Sequence, residues 1–253
     1  MRLTVVGCSG SIPGPDGPAS CYLLEAPYQG EVFRLVLDMG NGAFGPLQRY
    51  VDPLDVNVVA LSHLHADHCV DLTAYYVQRK YHPLAPHPPV PVYAPAGAAA
   101  RLARAYDMPE EPGMVAELDF RDWSPQVALQ LGPFEVSIAR VVHPVEAYAI
   151  RVSEEGRSFV YSGDTGPCEE LVRLAAGAEM LLAEASFLES VAHPEGVHMT
   201  GREAAEQATL AGVGRLLLTH VPPGNSKAEV RADAESAFAG PIDLVEAGDS
   251  YDV

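Results

Sequence analysis

The sequence predicts an α/β fold in which two β-sheets pack face to face and helices cover their outer sides, a four-layer αββα sandwich. Short β-branched and aromatic runs separated by Gly and Pro turns fill the first half of the chain, whereas strand-like and helix-like segments alternate in the second half. A chain of 253 residues, 48% of them apolar, can bury the core of such a sandwich. Because neither an internal repeat nor a Gly/Ser linker interrupts it, we expect a single domain over residues 1–253.

Most elements predicted in the first half are strands. The run 56–61 is continuously apolar, which is typical of a strand buried on both faces. The other strands predicted in this half span residues 3–7, 21–25 and 33–38. Helices are expected over 67–79 and 96–106, and the segment 81–91 between them is too rich in proline for a helix or a central strand, so it is predicted to be an extended surface loop.

Helix starts in the second half are marked by capping signals. Pro167 stands at a first-turn position of a helix that is expected to reach residue 176. Thr200 and Glu203 form a capping box for a helix running to about residue 211, and Ser226 and Glu229 repeat the pattern for a helix ending near residue 240. Strands are predicted over residues 134–142, 147–152, 158–161, 180–183 and 216–219.

The segment that points most directly to chemistry is His63-Leu64-His65-Ala66-Asp67-His68, which follows a predicted strand. Side chains two apart in extended backbone project to the same side, so His63 and His65 can face one position. Asp67 and His68 fall where the chain turns into the next helix, so they can face a second, adjacent position. Imidazole nitrogen and carboxylate oxygen are standard zinc ligands, and mixed sets of them also accept manganese or iron. The segment therefore predicts a metal centre.

Two metal ions need more ligands than this segment supplies. His143, Asp164 and His220 each stand at the exit of an apolar predicted strand. This is the edge at which open α/β sheets gather their ligands. Taken alone, each could instead end a strand or be a core residue whose polar atoms are hydrogen-bonded. Together with the histidine-rich segment, all three are candidate metal ligands.

The order of these motifs resembles the metallo-β-lactamase-fold hydrolases: His-x-His-x-Asp-His, a later His, then Gly-Asp-Thr, then a His that ends a strand. Three segments are similar to the phosphodiesterase branch that includes the tRNA 3′-processing endonucleases, namely residues 143–148, 182–187 and 198–205. Three others look like a group of bacterial proteins that includes a cyclic-AMP phosphodiesterase, namely residues 6–11, 17–20 and 220–223. The motifs extend from Gly7 to His220, nearly the whole chain.

The resemblance implies the metallo-β-lactamase fold and two divalent metal ions, with Zn²⁺ as the first choice and Mn²⁺ or Fe²⁺ as alternatives. It assigns His63, His65 and His143 to one ion, Asp67, His68 and His220 to the other, and Asp164 to a bridge between them. The implied reaction is in-line attack on a phosphodiester by a hydroxide held by the ions, with Asp67 also orienting this nucleophile.

Three further side chains are expected near the metals. His198 lies two residues before the Thr200 cap, at the positive end of a helix, where phosphate oxygens bind readily. We predict that it contacts the scissile phosphate and protonates the leaving oxygen, the alternative being a surface histidine at a helix entry. Asp38 and Glu184 each follow a predicted strand, where they would either support the metal ligands or only stabilise a turn or strand end.

Charge and composition narrow the class of substrate. With 16 basic and 34 acidic residues, the net charge is −18, which disfavours a long nucleic acid as a partner. The tRNA-processing enzymes carry a long basic, glycine-rich arm that has no counterpart here, and residues 83–91 include no Lys or Arg. We therefore expect a small phosphodiester, with a cyclic nucleotide such as cyclic AMP as the first candidate.

Three alternatives remain open at this point. The chain could be a ribonuclease Z-like tRNA 3′-endonuclease, a lactam or thioester hydrolase of the same fold, or a non-catalytic, metal-stabilised interaction protein. Its four scattered cysteines include no Cys-x-x-Cys pair, which predicts reduced thiols and a cytoplasmic protein. No apolar run approaches the roughly 20 residues of a membrane helix, so no membrane partner is expected. Relatives of this fold often form dimers, which makes a homodimer a further expectation.

Overall fold

The computed structural model describes all 253 residues and contains two seven-stranded mixed sheets that pack face to face. Helices cover the outer side of each sheet, so the predicted four-layer αββα sandwich is confirmed. The strands are β1 (Arg2–Gly7), β2 (Cys21–Tyr28), β3 (Glu31–Leu37), β4 (Val58–Ala60), β5 (Val90–Ala94), β6 (Leu118–Asp122), β7 (Leu129–Leu131), β8 (Phe134–Arg140), β9 (Tyr148–Glu154), β10 (Arg157–Tyr161), β11 (Met180–Glu184), β12 (Arg215–Thr219), β13 (Ile242–Leu244) and β14 (Ser250–Asp252).

The two sheets follow the same plan. The first has the strand order β14-β1-β2-β3-β4-β5-β6, antiparallel from β14 to β3 and parallel from β3 to β6. The second has the order β13-β12-β11-β10-β9-β8-β7, parallel from β13 to β10 and antiparallel from β10 to β7. Each sheet therefore has a parallel half, and the ends of parallel strands gather polar side chains at one edge.

Helices occupy the connections between strands. They are α1 (Phe44–Leu47), α2 (Ala66–Cys69), α3 (Leu72–Tyr81), α4 (Ala98–Ala105), α5 (Glu169–Ala175), α6 (Gly201–Ala211) and α7 (Lys227–Glu235), with a short 3₁₀ turn at Pro53–Asp55. The capping box predicted from Thr200 and Glu203 is present at the start of α6, with both reciprocal hydrogen bonds formed. None of the helices has the length and apolarity that crossing a bilayer requires.

Apolar side chains form three layers of core. The layer between the sheets joins residues such as Tyr22 and Leu24 of β2 to Phe134 of β8. The residues that alternate with them in β2, Cys21 and Leu23, face the opposite way, into the layer beneath α1, α3 and α4. The third layer lies between the second sheet and helices α5, α6 and α7. The period-two alternation therefore shows why β2 is apolar on both of its faces.

The helix predicted over residues 67–79 is interrupted, because tertiary contacts divert its backbone hydrogen bonds. Met39 N donates to His68 O at 2.8 Å, and Asp71 N donates to Met39 O at 3.1 Å. The chain consequently forms the short helix α2, turns, and begins again as α3. Gly40 permits this approach, since a Cβ atom there would lie 1.9 Å from Asp67 O.

Three other local predictions are corrected by the structure. The predicted loop 81–91 ends earlier than expected, because Pro91 lies inside β5, a strand between β4 and β6. Pairing of β5 with β4 begins only at Val92, so the N–H that Pro91 lacks interrupts no hydrogen bond to β4. Helix α5 begins two residues after Pro167, because Cys168 is extended and donates its N–H to Gln207 Oε1. Helix α7 ends at Glu235 rather than near residue 240. The next residue, Ser236, donates its hydroxyl to the backbone carbonyl of Asp233, and such a bond competes with continuation of the helix.

Candidate metal centre

Polar side chains from both sheets meet where the parallel strands end. From the first sheet come Asp38, which follows β3, and the segment 62–68, which follows β4. From the second sheet come His143 after β8, Asp164 after β10, Glu184 at the end of β11, and His220 after β12. Strand β8 is in the antiparallel half, but it runs in the same direction as β10 because both are antiparallel to β9. All of the predicted ligands therefore lie at one edge of the sandwich, and they divide into two groups.

The three-histidine cluster consists of His63, His65 and His143. The Nε2 atom of His63 lies 3.0 Å from Nδ1 of His65, which lies 3.2 Å from Nε2 of His143. All three nitrogen atoms lie within 4.8 Å of one another. His63 is fully buried, whereas His65 and His143 are partly exposed and border the solvent.

The mixed cluster consists of Asp67, His68, Asp164 and His220, and all four side chains are buried. Nε2 of His68 lies 3.3 Å from Nε2 of His220, 3.3 Å from Oδ2 of Asp67 and 3.2 Å from Oδ1 of Asp164. Nε2 of His220 lies 3.2 Å from Oδ2 of Asp67 and 3.5 Å from Oδ1 of Asp164. Five of the distances among four donor atoms thus fall between 3.2 and 3.5 Å.

These separations fit a divalent metal ion. Ligand atoms about 2.0–2.1 Å from a tetrahedral zinc ion lie about 3.3–3.4 Å from one another. Five of the six separations in the mixed cluster have nearly this length, and the measured distances of the three-histidine cluster, 3.0 and 3.2 Å, are close to it. Donors of imidazole nitrogen and carboxylate oxygen also suit zinc, manganese and iron.

The carboxylate of Asp164 lies between the two clusters. Its Oδ1 belongs to the mixed cluster, while its Oδ2 lies 3.7 Å from Nε2 of His63. Oδ1 is buried and has no hydrogen-bond partner, although two imidazole nitrogen atoms lie within 3.5 Å. A buried carboxylate oxygen that accepts no hydrogen bond is costly unless a cation is bound there, which independently supports a metal site.

The sequence-predicted residue Asp38 holds His68 in place. Its Oδ2 accepts the Nδ1–H of His68 at 2.7 Å, which turns Nε2 toward the mixed cluster. The same carboxylate accepts bonds from the backbone N–H and the hydroxyl of Ser62, both at 2.7 Å, and from the Tyr161 hydroxyl at 2.8 Å. Asp38 has a φ of +56°, a left-handed conformation that is strained in most residues and common at functional sites.

The other two sheet-edge histidines are oriented in the same way. Ser186 Oγ donates to the carbonyl oxygen of His220 at 2.8 Å and lies 2.6 Å from its Nδ1, from which it accepts. His143 donates from Nδ1 to the carbonyl oxygen of Val197 at 2.8 Å. In both rings Nε2 is therefore left free to face its cluster, as a metal ligand requires. His220 shares the left-handed conformation of Asp38, with a φ of +58°.

The two clusters differ in their electrostatics. Burial lowers the pKa of His63, His65 and His143, so these imidazoles are neutral and have a free lone pair. In the mixed cluster burial also disfavours charge, but Asp164 and Asp38 outweigh it and raise the pKa of His68 well above its usual value. The pKa of Asp67 lies well below its usual range because, against the effect of burial, the imidazoles of His220 and His68 lie within 3.3 Å of its carboxylate and stabilise the charged form. Asp67 and Asp164 therefore keep two negative charges in the mixed cluster, which attract a proton on His68 or, in its place, a metal ion.

His198 is placed beside the metal cluster by Glu184. Its Nδ1–H donates to Oε1 of Glu184 at 2.9 Å, and Nδ1 lies 3.8 Å from Oδ2 of Asp164. Glu184 is itself fixed by the backbone N–H groups of Thr165 and Ser186. Burial lowers the pKa of His198, but the Glu184 bond outweighs burial and raises it to about 9. The imidazole is therefore protonated at neutral pH and presents an Nε2–H donor.

The structure brings all of the sequence-predicted site residues together: seven form the two clusters, Asp38 is hydrogen-bonded to His68, and Glu184 and His198 are hydrogen-bonded to each other beside Asp164. The sequence did not indicate Ser62, Tyr161 and Ser186, which orient the ligands. Ser62 directly precedes His63, and Ser186 lies in the segment 182–187 that carries the family resemblance, so two of these three had a local signal. Tyr161 had none, since it is one of several apolar residues in a buried strand.

Comparison with known proteins agrees with this geometry. A family profile described as the β-lactamase superfamily domain matches residues 34–221. An uncharacterized protein of Mycobacterium leprae, ML1173, is 43% identical over 100% of this chain and 89% of its own length. Ribonuclease Z of Mycolicibacterium gilvum is 31% identical, with coverage of 88% and 85%. The crystal structure of the metallo-β-lactamase fold protein YhfI from Bacillus subtilis superimposes with a TM-score of 0.88 at 25% identity, covering 99% of each chain.

Proposed function

The chain belongs to the β-lactamase superfamily of metal-dependent hydrolases, and on this premise we propose that it hydrolyses a small phosphodiester, with a cyclic nucleotide such as cyclic AMP as the preferred substrate. The observation that carries the proposal is the hydrogen bond between His198 and Glu184, which places this imidazole beside two groups of side chains that could hold metal ions.

Two divalent ions would be held by the clusters described above. The three-histidine cluster would bind one ion, Asp67, His68 and His220 would bind the other, and Asp164 would bridge them. We propose Zn²⁺ as the ion, with Mn²⁺ or Fe²⁺ as alternatives suited to the same donors. Such a pair activates water near neutral pH and neutralises charge on phosphoryl oxygens.

The protein itself would control where the proton goes. Hydrolysis of an alkyl phosphodiester breaks a P–O bond and expels an alkoxide, which is a poor leaving group unless an acid protonates it. The Glu184 carboxylate keeps a proton on His198 at neutral pH, and Nε2 is the nitrogen free to donate it. A thiolate needs no such acid, so this arrangement favours a phosphodiester over a thioester. Asp67, whose pKa is held low, would accept a hydrogen bond from the attacking water and orient it.

Charge favours a small substrate. The ions would make the site locally positive, whereas the whole chain carries a net charge of −18. Long nucleic acids are bound mainly through many phosphate contacts to Lys and Arg. The exposed loop between α3 and β5 contains neither residue type, so it offers no such contacts.

The proposal is tested with protein reconstituted separately with Zn²⁺, Mn²⁺ and Fe²⁺ and assayed on cyclic AMP and bis(p-nitrophenyl) phosphate. We expect both to be hydrolysed. His198→Ala should lower turnover of cyclic AMP by about 10²- to 10⁴-fold but affect bis(p-nitrophenyl) phosphate little, because p-nitrophenolate leaves without an acid. His87→Ala, in the exposed loop, is the matched control. Absence of diester hydrolysis with every metal would refute the proposal, and turnover of a lactam instead would assign another reaction.

Ribonuclease Z activity is the second candidate, because relatives of that name are 28–31% identical over most of this chain. Precursor tRNA assayed beside cyclic AMP separates the two. Cleavage of the tRNA that weakens steeply with salt, without turnover of cyclic AMP, would favour the endonuclease. Stoichiometric metal without turnover of any substrate would favour a non-catalytic interaction protein.

A further inference from the structure

We propose that a cavity beside His198 binds the purine base of the nucleotide substrate, an inference that rests on the proposed function and specifies its substrate class. The cavity has a volume of about 330 Å³. Its walls include Phe187, Leu188, Val191, His193, Pro222 and Asn225, and we call it the Phe187 cavity. Its size is at the lower end of the range for ligand cavities, about 300–1,000 Å³, which suits one flat ring system rather than a large ligand.

The position of the Phe187 cavity relates it to the leaving group. The Phe187 ring meets the His198 ring edge-on, with centroids 5.1 Å apart and an interplanar angle of 83°. The Phe187 ring also stacks on the His193 ring, with centroids 4.8 Å apart and an angle of 24°. The cavity therefore begins one aromatic ring away from the proposed acid. A phosphodiester in contact with His198 would have its nucleoside portion directed toward this wall.

The chemistry of the wall matches a nucleobase. Phe187 and His193 stack on each other, and the ring faces that they turn away from this contact supply aromatic surface on which a base can stack. Val191 is 57% exposed at the rim, where it would be covered by an apolar ring. The polar group available for the edge of a base is the Asn225 amide, which uses one N–H on Ser186 O while its oxygen stays free. Nδ1 of His193 also has no hydrogen-bond partner, but it is buried rather than exposed to the cavity.

A second cavity is larger but fits a base less well. It has a volume of about 470 Å³ and lies on the other side of the turn formed by residues 222–225. No aromatic side chain lines it, and its cation, Lys227, is already paired with Glu246 at 3.0 Å. It also lacks any wall residue in ring contact with His198. The Phe187 cavity is the one that combines stacking surface with proximity to the acid.

The test compares two cyclic nucleotides that differ only in the base, together with a diester that has no base. For His193→Ala we expect kcat/KM with cyclic AMP to fall about tenfold through a higher KM, with kcat nearly unchanged. The same variant should leave cyclic CMP and bis(p-nitrophenyl) phosphate within about twofold of the parent, since a smaller pyrimidine and a base-free diester use this wall less. Phe187→Leu should also lower the purine preference, and Phe187→Tyr, which keeps the aromatic face, should restore it. His87→Ala is the control.

Binding of adenosine separates failure of this inference from failure of the proposed function. Calorimetry on the metal-loaded protein should show adenosine binding that His193→Ala weakens about tenfold. If bis(p-nitrophenyl) phosphate is hydrolysed but adenosine does not bind and the cyclic AMP to cyclic CMP ratio is unchanged in His193→Ala, the base cavity is overturned while the phosphodiesterase stands. If no diester is hydrolysed but adenosine binds through His193, the cavity stands and the proposed function fails.

Discussion

The three-histidine cluster and the mixed cluster are built on similar strand ends, yet they differ in burial and charge. Two of the three histidines in the first cluster are partly exposed, and all three are neutral because burial lowers the pKa of each. The four side chains of the mixed cluster are buried, two of them are carboxylates, and Asp38 and Ser186 hold its histidines in place by hydrogen bonds. We therefore expect the mixed cluster to retain its ion more tightly and the three-histidine cluster to exchange its ion more readily.

The largest effect should come from the residue that the clusters share. Asp164→Asn removes the charge from the carboxylate whose two oxygens face the two clusters, so the affinity for both ions should fall. We expect hydrolysis of bis(p-nitrophenyl) phosphate to fall by at least about a thousandfold, the equivalent of several kcal/mol of transition-state stabilisation. Metal content after desalting should fall below two ions per chain. Asp119→Asn, an exposed acid paired with Arg121, is the control. A variant that kept both ions and full activity would show that Asp164 does not join the clusters.

A smaller effect should be confined to the mixed cluster. Asp38→Asn keeps a residue type that tolerates the left-handed conformation, but it weakens the hydrogen bond that orients His68. Loss of such support costs about 10- to 100-fold in metal affinity or activity. Competition with a chelator should show one ion leaving the variant faster while the other is released as in the parent. Equal acceleration of both ions would mean that the two clusters are not independent.

How much of the fold could be predicted depended on how far apart in the sequence the interacting residues lie. The capping box of Thr200 and Glu203 is local and is present as predicted, since four consecutive residues suffice to define it. The helix expected over residues 67–79 is broken by hydrogen bonds to Met39, some thirty residues earlier in the chain, which no local pattern reports. Strand order and the pairing of the two sheets were likewise beyond the sequence alone.

The candidate site shows the same limit. His63, His65, Asp67 and His68 could be grouped from their spacing, and the strand-exit positions of the remaining ligands suggested that they belong with them. The hydroxyl groups that orient the ligands were not predicted, because a single hydroxyl carries little sequence signal. Tyr161 reaches Asp38 across 123 positions and Ser186 reaches His220 across 34. The aromatic contact between Phe187 and His193 needed the fold as well.

The pH dependence of catalysis should identify the acid next to the clusters. If protonated His198 is required, activity is present below its pKa and is lost as the pH rises through it. Glu184→Gln removes the charge that raises the pKa of His198 to about 9, so the alkaline limb of kcat/KM for cyclic AMP should move to lower pH. For each pH unit by which the alkaline limb moves down, kcat/KM at pH values above the limb should fall about tenfold. With bis(p-nitrophenyl) phosphate, which needs no acid, the pH profile should be the same in the parent and in Glu184→Gln. A shift of equal size with both substrates would exclude the role of His198 as the acid.

The smallest effect should come from Ser186, which supports the mixed cluster through one hydrogen bond. Ser186→Ala leaves the Nδ1–H of His220 without its acceptor, and a net hydrogen bond is worth about 0.5–1.5 kcal/mol. We expect the ion of the mixed cluster to bind about three- to tenfold more weakly, with little change at the three-histidine cluster. Ser124→Ala, at an exposed hydroxyl, is the matched control. Since His220 also has a strained left-handed backbone, the hydroxyl that bonds both its ring and its carbonyl oxygen holds the residue in place. A variant with unchanged ion affinity would assign that task to the packing around the ring instead.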